Sequence, residues 1–163
     1  SHSRTDAQDL APFVTTPMAV VEKMLELAQV SHNDLIYDIG SGDGRIVITA
    51  AVLYGARGVG IDIDPENVKE SQSNAKKAGV SKQVKFLLGD ATKMDISEAS
   101  VVTLYLLPES NALLKPKLER ELKDGARVVS HNYSMPGWED RELAFVEMKD
   151  DAGKEHSIYV YKK

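Results

Sequence analysis

At 163 residues the chain has room for one domain with a closed core and no second one. Its 42% hydrophobic and 28% charged residues are those of an ordinary soluble globular protein, and the lack of cysteine excludes disulfides, thiolate metal sites and cysteine nucleophiles. A formal net charge of -5 works against non-specific binding to nucleic-acid phosphates, no apolar run approaches the roughly 20 residues of a bilayer span, and a basic-then-apolar secretory start is missing, so a cytoplasmic location away from membranes is expected.

Residues 1–10 read as a disordered tail whose Ser1-His2-Ser3 start has the look of a cloning remnant, and residues 11–163 as one domain. Ala11 to Thr15 is extended, after which Thr16 is expected to N-cap a helix with Pro17 at its first position. That helix runs to about Gln29 and buries Val20, Val21, Met24, Leu25 and Ala28, which recur at helical spacing, with Glu22, Lys23 and Glu26 outside. Leu35 to Ile39 is a first strand ending in a glycine-rich turn, and Ile46 to Leu53 is read as a helix because it follows that tight turn. Gly58 to Ile63 is a second strand, and Asp64-Pro65 repeats the cap-plus-proline signal before a helix closing near Gly79. Val84 to Leu88, Val101 to Tyr105 and Ala126 to Ser130 are three more strands, with a helix over Asn111 to Leu122. Glu142 to Met148 and His156 to Tyr161 flank the turn cluster Asp150-Asp151-Ala152-Gly153, which leaves no space for a helix. The expected fold is α/β: a Rossmann-like, seven-stranded, mostly parallel sheet with helices on both faces and a C-terminal antiparallel hairpin.

The chemistry-bearing stretch is Asp38-Ile39-Gly40-Ser41-Gly42-Asp43-Gly44-Arg45, between the first strand and its helix. Its glycines are spaced G-x-G-x-G, whereas a dinucleotide fingerprint reads G-x-G-x-x-G and cradles a pyrophosphate on the helix N-terminus. Asp38, two positions before the first glycine, would repel phosphate and accept hydrogen bonds from an ammonium group. S-adenosylmethionine carries that ammonium and no phosphate, and Gly40, Gly42 and Gly44, with Ser41 between them, let the backbone approach it closely. Asp62 ends the second strand eighteen residues after Gly44, where an acid in nucleoside-binding folds accepts ribose hydroxyls, and Ile63 follows it. Asp64 competes for that role but is expected to cap the next helix. Asp90, followed by Ala91, ends the third strand within reach of an adenine amino group. Asp43 and Arg45 serve equally well as ligand contacts or as an ion pair at the helix start. No metal site is read.

Through DIGSGDGR at 38–45, GIDID at 60–64 and GDA at 89–91 the chain resembles the seven-β-strand S-adenosylmethionine-dependent methyltransferases. APFVTTP at 11–17, VVTLYLLP at 101–108 and ARVVSH at 126–131 with Trp138 are similar, more narrowly, to the small archaeal protein-lysine methyltransferases and their bacterial relatives. Mitochondrial enzymes that methylate adenine nucleotide translocase and ATP synthase c-subunit lysines are similar too. The likeness runs from about residue 11 onward. It implies that a Pro-Tyr-Val-x-Thr-Pro segment packs over the cofactor, here Pro12 to Pro17 with Phe13 in place of tyrosine, so an aromatic wall survives and a phenolic hydroxyl does not. It also implies that Thr16 bonds the cofactor carboxylate, if it is not merely a helix cap.

Enzymes that methylate planar nitrogens often carry Asn or Asp followed by Pro-Pro-Tyr or Pro-Pro-Phe after the fourth strand, and this chain has Tyr105-Leu106-Leu107-Pro108-Glu109 instead. The departure argues against a DNA base or glutamine and fits an aliphatic amine. Tyr105 is expected to line the acceptor slot, with His131 and Trp138 beyond the fifth strand, the Trp138 ring flanking an alkylammonium stem. The expected activity is in-line methyl transfer to a protein lysine by a monomer; a small-molecule methyltransferase and a non-catalytic S-adenosylmethionine-binding module are the alternatives. The partner is then a protein with an exposed lysine, with no nucleic acid or membrane.

Overall fold

In the computed structural model, which describes residues 15–163, helices and strands alternate along the chain as the periodicity predicts. Helix α1 (Met18–Leu27) is followed by strand β1 (Leu35–Ile39), helix α2 (Arg45–Tyr54), strand β2 (Arg57–Asp62), helix α3 (Pro65–Lys77) and strand β3 (Val84–Leu88). Strand β4 (Val101–Leu104), helix α4 (Pro108–Glu121) and strand β5 (Arg127–His131) complete the parallel part. Strands β6 (Glu142–Lys149) and β7 (Glu155–Lys162) form the hairpin.

The seven strands lie in the order β3-β2-β1-β4-β5-β7-β6, with β7 antiparallel between β5 and β6. The chain winds outward from β1 to β3 and then restarts at β4 on the other side of β1. The carboxyl ends of β1 and β4 therefore flank the switch point where open α/β sheets bind their ligands. Across it Asp38 of β1 stands beside Thr103 of β4 in register.

Each face of the sheet carries its own core. Val20, Val21, Met24 and Leu25 of α1 pack with Val47 and Ala50 of α2 and Ala75 of α3 against one face. Leu114 and Leu118 of α4 pack with Ile39, Ile61, Val128, Trp138 and Tyr161 against the other. Full burial of such side chains contributes on the order of 2 kcal/mol each, which is why the short strands hold together. At the amino edge, opposite the switch point, the Asp34 carboxylate accepts from Arg127 and Ser100 and braces the starts of β1, β4 and β5.

Two helix starts differ from expectation. Helix α1 begins at Met18 with Pro17, not Thr16, at its N-cap and no side-chain cap; the Thr16 hydroxyl is drawn instead to His131. Helix α4 starts at Pro108, three residues before the expected Asn111, because Leu107 is extended and proline suits the first helical position. Asp64 does cap α3, accepting from the Glu66 amide at 2.9 Å.

Candidate active site

After Ile39 the chain turns through Gly40, Gly42 and Gly44 at φ of 77°, 56° and 84°, the left-handed region that glycine enters without strain. The Gly40 and Ser41 amides donate to the Ile61 carbonyl at 2.9 and 3.0 Å, and the Gly42 amide donates to Asp62 Oδ2 at 2.8 Å. Helix α3 supports the turn: the Ser71 hydroxyl donates to the Gly42 carbonyl at 2.7 Å and the Asn74 amide to the Asp43 carbonyl at 2.9 Å. A Cβ on Gly44 would lie 2.8 Å from Phe86 Cζ, whereas one on Gly42 would meet nothing within 4 Å among the described residues. The loop is thus closed against the protein at Gly44 and open at Gly42, a cradle that a side chain there would begin to fill.

The three strand-end acids sit in different electrostatic settings. Asp38 is buried, with Thr103 donating to its Oδ1 at 2.8 Å. Burial above all, with Asp62 and Asp43 nearby, pushes its carboxyl up to about 7 against the pull of the Thr103 bond. A carboxyl held half-protonated by desolvation is a site that a cation would complete. Asp62 is already engaged: besides Gly42, it accepts at Oδ1 from the Asp64 amide at 2.9 Å and Asn67 Nδ2 at 3.3 Å. Asp90 caps the short turn Ala91–Lys93, its Oδ1 accepting from the Thr92 amide at 2.9 Å and hydroxyl at 2.7 Å. Ala91 behind it is buried, and Ile63 beside Asp62 is half-buried.

Asp43 and Arg45 form an ion pair, Nη2 to Oδ2 at 2.7 Å. Burial raises the Asp43 carboxyl, but the bonds from Arg45 outweigh it and hold it below the usual range. Arg45 Nη1 also donates to the Thr16 carbonyl at 2.9 Å, so this cation is occupied by protein and pins the segment before α1 onto the end of the glycine loop.

On the other side of the switch point, Tyr105 follows β4 and His131 ends β5, their rings 3.9 Å apart. Tyr105 is half-buried, and burial pushes its phenol upward, so it stays protonated. His131 is fully buried behind it, and the same desolvation lowers its pKa to about 3. Trp138 does not flank a slot as expected. Its ring is 1% exposed, stands edge-on to Tyr161 at 5.7 Å and donates from Nε1 to Glu119 of α4 at 2.8 Å, so it anchors the connection from β5 to β6. Phe13 lies outside the described residues. The structure thus gathers Thr16, Asp38, Gly40 to Gly44, Asp62, Asp90, Tyr105 and His131 on one sheet edge and takes Trp138 into the core.

Sequence reading did not find Thr103, Ser71 or Asn74, because nothing local marks a residue whose partner lies 65, 29 or 31 positions away. Gly58 and Gly60 did carry a signal, two glycines inside one strand. A Cβ on Gly58 would lie 2.6 Å from Val47 Cβ, and one on Gly60 2.6 Å from Phe86 Cδ1 and 2.7 Å from Ser41 Oγ, so both permit close packing under the loop. As a whole the edge can hold a small ligand that brings a cation to Asp38 and hydrogen-bond donors to Asp62 and Asp90. S-adenosylmethionine has that charge pattern.

Comparison with known proteins agrees. Residues 38–142 match the family model described as the ANTKMT methyltransferase domain. A protein-lysine N-methyltransferase of Saccharolobus islandicus (strain REY15A) is 46% identical over 151 residues, which cover 92% of this chain and 92% of that protein. The human ATP synthase C-subunit lysine N-methyltransferase is 38% identical over 127 residues, 78% of this chain and 54% of that protein, so the chain spans about half of the longer relative. Among solved structures, an RNA methyltransferase from Salinibacter ruber in complex with S-adenosyl-L-homocysteine superposes with a TM-score of 0.84 at 51% identity, covering 91% of this chain and 93% of that one.

Proposed function

The chain belongs to the ANTKMT methyltransferase family, and from that premise we propose that it transfers the methyl group of S-adenosylmethionine to the side-chain amine of a protein lysine. The observation that carries the cofactor side of this reading is Asp38, a buried carboxyl lifted to about 7 beside the open face of the glycine loop. Asp38 holds the methionyl ammonium, Gly40, Ser41, Gly42 and Gly44 line its approach, and Asp90 with Ala91 receives the adenine. Asp62, followed by Ile63, takes the ribose. Three of the roughly four acceptor positions of the Asp62 carboxylate are used within the described residues, leaving capacity for one direct ribose hydroxyl.

When bound, the cofactor supplies a methyl group already activated by its sulfonium, so the protein's part is alignment. The Tyr105 ring, backed by His131, lines the acceptor slot. Lysine has a reference pKa of about 10.4, so an aromatic, poorly hydrated slot favours the free amine that reacts. Turnover is expected to rise steadily toward alkaline pH, and a pH-rate profile that is flat from neutrality upward argues against an amine acceptor.

An RNA acceptor is the second reading, since the relative from Salinibacter ruber is described as an RNA methyltransferase. Two features favour lysine. The net charge of -5 opposes a polyanion, and the segment after β4 places half-buried Tyr105, buried Leu106 and exposed Leu107 where a polar grip on a planar nitrogen would stand. The test is incubation with labelled cofactor and cell extract, followed by nuclease or protease digestion and mass spectrometry. Label on lysine that survives nuclease supports the proposal, and label that survives only protease, or that appears on metabolites, overturns it.

A further inference from the structure

Four side chains from three separate parts of the chain join in one line of hydrogen bonds that neither helix nor sheet requires. Thr16 Oγ1 lies 3.2 Å from His131 Nδ1, His131 Nε2 lies 2.8 Å from His156 Nδ1, and His156 Nε2 lies 2.7 Å from Asp150 Oδ2. Thr16, His131 and His156 are 5%, 0% and 3% exposed. Asp150, in the turn between β6 and β7, is fixed by the Ala152 and Lys154 amides, each donating to Oδ1 at 2.9 Å.

The direction of each bond follows from the one before it. The bonds to Asp150, that from His156 first, hold its carboxyl below the usual range, so it carries no hydrogen and His156 Nε2 must donate. With each ring bearing one proton, His156 Nδ1 is a lone pair, His131 Nε2 donates to it, His131 Nδ1 is a lone pair, and the Thr16 hydroxyl donates inward. The one hydrogen of Thr16 is then committed, and toward anything bound at the site it can only accept.

Thr16 is placed for that use. Its carbonyl is tied to Arg45 at the end of the glycine loop after β1 and its hydroxyl to His131 at the end of β5, so it bridges the carboxyl edge past β4, where the tilted Tyr105 ring lies against His131. We propose that Asp150, His156 and His131 are positioning residues that hold the Thr16 hydroxyl as a pure hydrogen-bond acceptor for the N–H of the acceptor amine. This inference rests on the amine-methylating function proposed above, and it turns Thr16 away from a carboxylate, which would need a donor.

Asp150→Asn reverses the line without breaking it. An amide N–H at that position donates to His156 Nε2, His156 Nδ1–H donates to His131 Nε2, His131 Nδ1–H donates to Thr16, and the Thr16 hydrogen is released toward the site. The experiment compares both proteins, at a pH well above the reference histidine value of about 6.5, by ¹⁵N histidine spectra, adenosylhomocysteine titration and steady-state kinetics. The expected result is His131 protonated at Nε2 in the natural protein and at Nδ1 in Asp150→Asn. With it comes a fall in kcat of about tenfold or more, an adenosylhomocysteine Kd within about twofold, and recovery of kcat in Asp150→Glu. Should Asp150→Asn fail to fold, Thr16→Val is expected to lose as much kcat and Thr16→Ser to regain it.

A natural protein with His131 protonated at Nδ1, a reversed tautomer with unchanged kcat, or a loss that appears in the adenosylhomocysteine Kd instead overturns the inference. Kinetics are read on whichever acceptor takes the label, so failure of the lysine reading, seen as label on another molecule, is distinct from failure of the relay, seen as an unmoved kcat.

Discussion

The two sides of the switch point are built by opposite means. On the side of β1, β2 and β3 the site is made of backbone: positive-φ glycines, amides that point at carboxylates, and acids that bond their own neighbours two residues on, as Asp62 does with the Asp64 amide and Asp90 with Thr92. On the side of β4 and β5 it is made of side chains that hold one another across the fold, Thr16 with His131 over a separation of 115 residues and His131 with His156 over 25. On the reading proposed above, the first side is a cradle for a ligand common to many proteins, and the second a lining in which one distant substitution changes what the slot offers. That reading ties cofactor use to local shape and acceptor choice to long-range packing.

The contrast breaks first at Asp38, where the largest effect is expected. A bound ammonium favours the carboxylate, so binding expels the proton held in the free protein at about pH 7. Affinity for adenosylhomocysteine is expected to fall by up to about tenfold per pH unit below 7 and to level above it. Calorimetry in buffers of different ionisation enthalpy reads the released proton; affinity independent of pH between 5 and 8 removes Asp38 from the ammonium site. Stability of the free protein has the opposite sign. A carboxyl raised from 3.8 to about 7 contributes stability that is fully present below the unfolded value and lost as pH rises through 7.

Asp62→Ala comes next. It leaves the Gly42 and Asp64 amides without their acceptor and removes the ribose contact together, so affinity is expected to drop roughly ten- to fiftyfold and stability by about 1–3 kcal/mol. Undiminished binding would move the ribose to Asp64. Asp62→Asn, which keeps an acceptor oxygen for the loop, separates the two losses.

How far each side was legible in sequence follows from the same difference. Leu35–Ile39 and Val84–Leu88 have the bounds that the sequence pattern predicts, and the glycine loop with its three acids is legible because its parts lie within a few residues of each strand end. The start of α1 differs from the sequence expectation because Thr16-Pro17 looks like a cap until His131, on another element, claims the threonine hydroxyl. Trp138 follows β5 as a substrate-lining residue would, but its indole N–H finds Glu119, and no local pattern reports that α4 presents a carboxylate there. In sequence His156 and Asp150 are only strand and turn residues, since alternation and turn chemistry say nothing of which buried ring a strand will meet.

Two smaller substitutions sharpen the contrast. Gly60→Ala puts a Cβ against Phe86 and Ser41 inside a packed strand, an overpacking expected to cost about 1–3 kcal/mol in denaturant unfolding. Among the described residues Gly42→Ala meets only the strain of positive φ, on the order of 1 kcal/mol, but directs its methyl into the open cradle, so its affinity loss should exceed its stability loss. Equal losses for both would mean that the loop is not where the ligand lies.

The smallest effect on activity is expected at Trp138, on the side where side chains dominate. Trp138→Phe removes the Nε1 bond to Glu119 and part of a ring packed on Tyr161, which should lower stability by about 1–2 kcal/mol. Because that ring is 1% exposed, kcat, acceptor KM and cofactor affinity should stay within about twofold. A normally folded variant whose acceptor KM rises tenfold would show that the indole reaches substrate after all. It would also show that the region after β5 rearranges when the acceptor binds, which would make the acceptor side a moving wall and leave the cofactor side as the one rigid half of the site.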